Sequence, residues 1–334
     1  MSSSALQSPF QIGPVAIRNR VILAPMSGVS DLPFRQLAWR FGAGLVVTEM
    51  VASKELVHNT AESWSRLRGA GLTPHMVQLA GRDAHWMAEA ARIAEASGAD
   101  IIDINMGCPA KKVIGGYSGS ALMRDPDHAL SLVEATVRAV KVPVTLKMRL
   151  GWDENSLNAP EIAARAQAAG VQMIIVHGRT RMQFYEGRAD WDAIAAVRDV
   201  ISLPLVANGD VETREDAEEI RRRSGADAVM VGRACQGRPW HAGWVAGHQG
   251  PQPEEIPDLA AGHYEAMLGH YGADVGVRHA RKHVGWYLER FAPDVAAAEK
   301  AEIMTSRDPV FVSKALARCL AEATSGSDRR QEAA

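Results

Sequence analysis

Cys108 is the residue of this chain best placed to do chemistry. It lies in Asn105-Met106-Gly107-Cys108-Pro109, a turn shaped by glycine and proline that directly follows the apolar run Ile101-Ile102-Asp103-Ile104. A short apolar run that stops at such a turn reads as a buried β-strand entering a loop. A thiol in that loop can be presented to a ligand, whereas an isolated cysteine is as readily packed away as a small apolar residue. With an ordinary pKa of about 8.5 it is mostly protonated at neutral pH, so it can donate a proton as well as act as a nucleophile. What the other strand ends contribute decides between those roles.

Seven further apolar runs, at 21–24, 45–48, 75–79, 144–147, 173–176, 205–207 and 228–231, join 101–104 as predicted strands. Amphipathic stretches lie between them, at 84–97, 127–140, 160–169, 191–200 and 213–223. Asp125-Pro126 supplies an N-cap with proline at the first helical position, and Thr213-Arg214-Glu215-Asp216 an acidic first turn. Gly98, Gly170 and Gly225 stand just before the next strand, as helix C-caps do. Near-continuous apolar strands alternating with helices imply a parallel sheet covered on its outer side. Eight such units fit a closed (β/α)8 TIM barrel, a fold of about 250 residues. A doubly wound open sheet is the rival, but Ala24-Pro25-Met26 follows the first strand where a glycine-rich dinucleotide fingerprint would stand. The expected organisation is a barrel over 10–246, a Gly/Pro/Gln linker, and a small C-terminal helical domain over 255–320. The polar residues 325–334 read as a disordered tail.

In such a barrel the chemistry sits at the carboxyl ends of the strands. Here those ends carry Pro25 and Met26, Glu49, Gln78, Asn105, Lys147 with Arg149, His177 with Arg179, Asn208 with Asp210, and Gly232 with Arg233. A lysine ending an apolar strand must find an anion or a polar ligand, because unpaired buried charge is costly. For Lys147 that partner could be Glu49 in a structural ion pair, and His177 and Gln78 could each be ordinary core hydrogen-bonders. The last two ends are more specific. Asn208-Gly209-Asp210 and Gly232-Arg233 bring glycine backbone and a guanidinium to the loops after strands 7 and 8, where barrels commonly bind phosphate. A phosphate-bearing cofactor is therefore expected. No Cys/His cluster for zinc and no carboxylate set for magnesium appears, so no metal is expected.

Composition narrows the class. The net charge of −2 gives no global push toward a polyanion, so any nucleic-acid surface must be a local patch. The amino terminus lacks a signal-peptide pattern, and no apolar run approaches the roughly 20 residues that span a bilayer. Three widely spaced cysteines, Cys108, Cys235 and Cys319, argue against a disulfide framework and for a reducing cytoplasm.

With these residues assembled, the chain resembles the tRNA-dihydrouridine synthases, most closely their bacterial B type. The resemblance rests on Ala-Pro-Met-Ser-Gly-Val-Ser-Asp at 24–31, Asn-Met-Gly-Cys-Pro-Ala-Lys-Lys-Val at 105–113, Lys-Met-Arg at 147–149 and His-Gly-Arg-Thr at 177–180. It continues through Asn-Gly-Asp at 208–210, Val-Gly-Arg-Ala-Cys-Gln-Gly-Arg-Pro-Trp at 231–240, and Arg281-Lys282-His283 with Trp286-Tyr287. It covers roughly 10 to 320, with Ser27 and Ser30 where alanine and threonine are usual. It implies an FMN-binding barrel that reduces the C5–C6 bond of a tRNA uridine with NADPH as donor. The implied FMN contacts are Pro25, Met26, Ser27, Gln78, Lys147, His177, Asn208, Gly209, Asp210, Gly232 and Arg233, with Cys108 as the catalytic acid.

A uridine inside folded tRNA must be extracted to reach such a pocket. Asn105 is expected at the uracil edge, with Arg149 and Arg179 on the substrate side and Lys111, Lys112 and Arg181 extending a positive track. On 277–291, Val277, Val284, Leu288 and Phe291 form an apolar stripe at helical spacing, leaving Arg278, Arg281 and Lys282 on its flanks as a tRNA surface. No protein partner is implied. Rival readings are an FMN barrel reductase of a small molecule in the manner of dihydroorotate dehydrogenases, a flavin-free lyase with a Lys147 Schiff base, and a non-catalytic RNA-binding protein.

Overall fold

The computed structural model describes residues 5–331. Its main sheet is parallel, built from β3 (Val21–Leu23), β4 (Leu45–Val46), β5 (Val51–Ala52), β6 (Met76–Ala80), β7 (Ile101–Met106), β8 (Val144–Arg149), β9 (Met173–His177), β10 (Leu205–Asn208) and β11 (Ala228–Val231). The strand order is β4-β3-β11-β10-β9-β8-β7-β6-β5, and a parallel bridge from Val47 to Met76 joins the two edges into a ring. β4 and β5 are two pieces of one stave, so the nine strands make the eight staves of a (β/α)8 barrel. The predicted strand 45–48 is thus interrupted. Gln78 N–H bonds to Thr48 Oγ1 at 3.0 Å, a side chain taking the place of a ladder carbonyl.

Alternation along each strand sends one side chain in two into the barrel. Ile22, Leu45, Met76, Ile101, Met173 and Ala228 fill its amino-terminal half as one buried cluster. That cluster also holds Phe10, Ile12 and Ile17 from an antiparallel hairpin, β1 (Phe10–Ile12) with β2 (Val15–Ile17), which seals the mouth opposite the chemistry. Further along, the inward positions turn polar: Gln78, Asp103, Asn105, Thr145, Lys147, Arg149, His177 and Asn208 are all buried. The outward positions pack under the helices in a second, larger apolar core.

The helices Ala84–Ala96, Pro126–Ala139, Ala159–Ala168 and Arg214–Ser224 lie where the amphipathic pattern puts them. Asp125 caps His128 N–H, and Thr213 with Asp216 closes a capping box. The stretch 191–200 keeps only Ala195–Arg198 as helix. Asp190 holds Ala193 N–H, and Trp191 Nε1 reaches Gly209 O at 2.9 Å, which ties that end to the strand-end loops.

After residue 246 the chain is helical: Ile256–Tyr271, Ala273–Phe291, Ala297–Thr305 and Pro309–Gln331 share their own apolar core. They dock on the barrel through Phe34 against His263 and His283, and through Trp240 against Tyr287 and Phe291. The tail expected to be disordered from 325 instead continues the last helix to Gln331, and 332–334 lie outside the described residues. Once a buried turn nucleates a helix, each added residue gains a hydrogen bond, and no proline interrupts this one. Among the described residues no helix is long and apolar enough to cross a membrane.

Candidate active site

The carboxyl ends of the strands open into a cleft of about 820 Å³, within the range of cofactor sites. Pro25, Met26, Ser27, Gln78, Asn105, Cys108, Lys147, Arg149, His177, Asn208, Gly209, Asp210, Gly232 and Arg233 all border it. Arg179, Arg278, Arg281 and Lys282 do not.

A directed chain of hydrogen bonds runs beneath Cys108. Asp103, fully buried, accepts from Thr145 Oγ1 at 2.6 Å and from Gln78 Nε2 at 2.7 Å. Gln78 Oε1 then accepts from Asn105 Nδ2 at 2.7 Å, and Asn105 Oδ1 accepts from Gly107 N at 3.2 Å and Cys108 N at 3.0 Å. A carboxylate can only accept, so it fixes which way each amide in the series points. From the other side, Ser120 N and Oγ both donate to Cys108 O, at 3.1 and 2.9 Å. Gly119 makes that approach possible. At φ +62° its place suits glycine, and a Cβ there would stand 2.8 Å from Cys108 O. Asp103 escaped the sequence reading; an acid at an inward position two residues before Asn105 was the available signal.

Burial pushes the Cys108 thiol above its ordinary pKa, against the pull of the Ala110 amide and of the Arg149 and Lys147 charges. It is therefore protonated at neutral pH. Lys147 does not pair with Glu49: its Nζ donates to Asn208 Oδ1 at 3.1 Å, and Glu49 instead accepts from Gly28 N–H. Burial, then the nearby Arg149 charge, lowers Lys147 to about 8, so it is mostly cationic at neutral pH. Burial and the Lys147 charge hold His177 well below its usual value, and Arg179 Nη1 faces its Nε2 at 3.3 Å. A guanidinium only donates, so Nε2 accepts and the neutral ring carries its proton on Nδ1.

Two arginines expected on the substrate side are engaged by protein partners, Arg149 at the cleft edge and Arg179 away from it. Arg149 turns inward with Thr145 and Lys147 and braces the cysteine loop, donating to Gly107 O at 2.8 Å, Thr180 O at 2.7 Å and Phe184 O at 2.8 Å. Arg179 is 1% exposed, and each of its N–H groups has a protein partner among Glu186 O, Gly187 O, His177 and the Asp210 carboxylate. It has no donor left for RNA. Asp210 likewise does not face a phosphate through its carboxylate, which receives Arg179, Arg233 and the Ala189 amide. Those bonds outweigh burial and hold its pKa below the usual carboxylate range. The Arg233 guanidinium stays half exposed over the Tyr185 ring, 5.2 Å from its centroid.

In the helical unit Arg278 is exposed. Arg281 folds back toward Thr305 O at 3.4 Å, with its Nε buried. Lys282 reaches the barrel: a Cβ on Gly28 would lie 2.8 Å from its Nζ. Val277, Val284 and Leu288 are buried as the stripe required, with Phe291 packed against them. Arg181 is buried between Trp152 and Phe184 and so is not part of a surface track; the side chain of Lys112 lies outside the described residues.

Fold and cleft define a TIM-barrel protein with a basic ligand site at the strand carboxyl ends and a half-buried protonated thiol on its edge. Among solved structures it is similar to 6-hydroxypseudooxynicotine amine oxidase from Pseudomonas geniculata N1, with a TM-score of 0.58 at 16% identity over 73% of this chain and 49% of that one. Histamine dehydrogenase from Rhizobium sp. 4-9 gives a TM-score of 0.54 at 15% identity, over 84% and 51%. These likenesses concern the fold, and this chain spans about half of each of those proteins.

The family described as Dihydrouridine synthase (Dus) matches residues 22–324, and the chain belongs to it. A probable tRNA-dihydrouridine synthase of Rhizobium leguminosarum bv. phaseoli is 74% identical over 92% of this chain and 96% of its own length. One of Rhodobacter capsulatus is 58% identical over 86% and 91%, and tRNA-dihydrouridine synthase B of Xanthomonas campestris pv. campestris is 46% identical over 89% and 95%.

Proposed function

We propose that this protein reduces the C5–C6 bond of specific uridines in tRNA to 5,6-dihydrouridine, using FMN and NADPH, with Cys108 as the general acid. The observation that carries the reading is the thiol's placement: held at both its backbone N–H and C=O, with burial pushing its pKa up, and bordering the same cleft as Lys147, His177 and Arg233.

The residues present fit FMN. A Cβ on Gly232 would project into the cleft and meet only Ala24 Cβ at 3.6 Å and Met26 Sδ at 3.8 Å, so glycine there leaves space that no protein atom fills. Arg233, with the loops after β10 and β11, would hold the phosphate, in the position phosphate takes in many barrels. Lys147, Gln78, His177 and Asn208 would line the ring system. The chemistry that FMN would supply there is hydride transfer to C6 of the uracil.

The chain's own residues do the rest. Lys147, mostly cationic at neutral pH, would supply positive charge to a ring system bound in the cleft, which would favour its anionic reduced state. As negative charge develops at C5 and O4 of the base, Cys108 Sγ gives its proton to C5 and is left as a thiolate, which solvent reprotonates. Hydride and proton together add two hydrogens across one double bond, and NADPH leaves as NADP⁺. General acid catalysis of this kind contributes about 10²- to 10⁴-fold. Asn105 keeps one amide N–H uncommitted for the uracil edge.

Cys108→Ala tests the assignment. The variant is expected to bind flavin and accept electrons from NADPH while losing at least about 10²-fold in dihydrouridine formation. Product formation at the unsubstituted rate would remove Cys108 from the reaction.

A further inference from the structure

The stretch Gln236-Gly237-Arg238-Pro239-Trp240 is left without a role by the cofactor site, yet it forms the joint between barrel and helical unit. At φ +72°, Gly237 comes so close to the Ala273–Phe291 helix that a Cβ would lie 2.7 Å from Trp286 O. Arg290 stands one turn beyond Trp286 on the same helix, so that contact brings Arg238 and Arg290 together across the joint. Both border the cleft, from opposite units of the molecule.

Their surroundings are those of an anion site. Arg238 anchors Nε on Ala234 O at 2.9 Å, leaving its two terminal nitrogens available, and Arg290 is exposed. Among the described residues neither lies within ion-pair distance of a carboxylate. Burial and then the facing Arg290 charge depress Arg238, with Cys235 and Glu212 the smaller opposing influences. Two like charges held together in no ion pair, with only the smaller Glu212 influence to offset them, are costly unless an anion joins them.

An extruded nucleotide stays tied to its neighbours by phosphodiesters. A cleft that takes the base must therefore meet backbone phosphate at its rim. We infer that Arg238 and Arg290 bind a phosphodiester of the tRNA strand carrying the target uridine, clamping it between barrel and helical unit. This rests on the function proposed above.

The test uses flavin-loaded enzyme and full-length unmodified tRNA, with affinity measured across a salt series. Arg290→Glu, at an exposed helical position, is expected to weaken binding at least 10-fold at low salt. Arg238→Gln with Arg290→Gln should lower the slope of log affinity against log salt by about 0.7–0.9 per contact. Arg290→Lys should recover most of the binding, and retained flavin absorbance shows that each variant is folded. Unchanged affinity and slope in the double variant would overturn the inference. So would unchanged tRNA affinity with a raised KM for NADPH, which would assign the pair to the donor's phosphates. Absence of tRNA binding and of dihydrouridine formation in the unsubstituted enzyme would instead remove the underlying function, and this inference with it.

Discussion

Asp103→Leu should disable the thiol from two residues' remove. The substitution deletes the acceptor of two buried donors, Thr145 Oγ1 and Gln78 Nε2. A stranded buried donor costs about 1–3 kcal/mol, so the fold should lose about 2–6 kcal/mol. Only the Gln78 branch leads on through Asn105 to the amides of Gly107 and Cys108. If that branch alone reaches the barrier, its share of about 1–3 kcal/mol is a fall of about 5- to 150-fold in the chemical step. Asp103→Asn separates charge from direction. Its amide can face the Thr145 hydroxyl, which is able to accept, while its oxygen still receives Gln78, so the order of the series survives. Dihydrouridine formation in a single turnover, with pre-reduced enzyme at saturating tRNA, should rank unsubstituted enzyme and Asp103→Asn close together and Asp103→Leu well below. Thermal unfolding measured alongside separates loss of fold from loss of rate. Equal damage from Asn and Leu would mean that the negative charge matters and not the direction of bonding. A Leu variant at full rate would disconnect Asp103 from Cys108.

Three further outcomes follow from the same geometry. Lys147, lowered to about 8 by burial, loses its proton as pH rises through that value, so flavin reduction by NADPH should slow above about pH 8; a profile still flat at pH 9.5 would oppose its role beside the ring. Gly119→Ala places a Cβ 2.8 Å from Cys108 O at a positive φ, so product formation should fall at least about 10-fold with flavin retained, at a cost of about 1–2 kcal/mol in left-handed backbone alone. Asp210→Ala strips the counter-charge from buried Arg179 and exposed Arg233; with the carboxylate 28% exposed, solvent should limit the loss to about 1–3 kcal/mol. Because the folded Asp210 pKa is depressed, its contribution is present above the unfolded value and fades as pH falls through the folded one, so denaturation midpoints of variant and unsubstituted protein should converge in acid.

The eight staves were legible because each is an apolar run bounded by turn residues, and the basic groups at their carboxyl ends were legible because a charge ending such a run must meet a ligand or a partner. The partners themselves were not. The alternation from Thr145 through Lys147 turns Arg149 inward to the cleft, but its bonds to Gly107 O, Thr180 O and Phe184 O come from two other strand-end loops that no single run displays. Arg179 and Asp210 are 31 residues apart, and only parallel register between β9 and β10, with Asn208 opposite His177, brings them together. The hairpin sealing the barrel floor is too short to show a period, since β1 and β2 have three residues each. What the fold adds is a division of labour that no run of residues displays. Arg149, Asn105 and Ser120 hold the thiol loop from three sides, while burial keeps the thiol itself protonated. A cysteine merely packed as a small apolar residue would need none of those supports, and their convergence on a partly buried cysteine at the cleft edge favours a group that must hand over a proton at one fixed place.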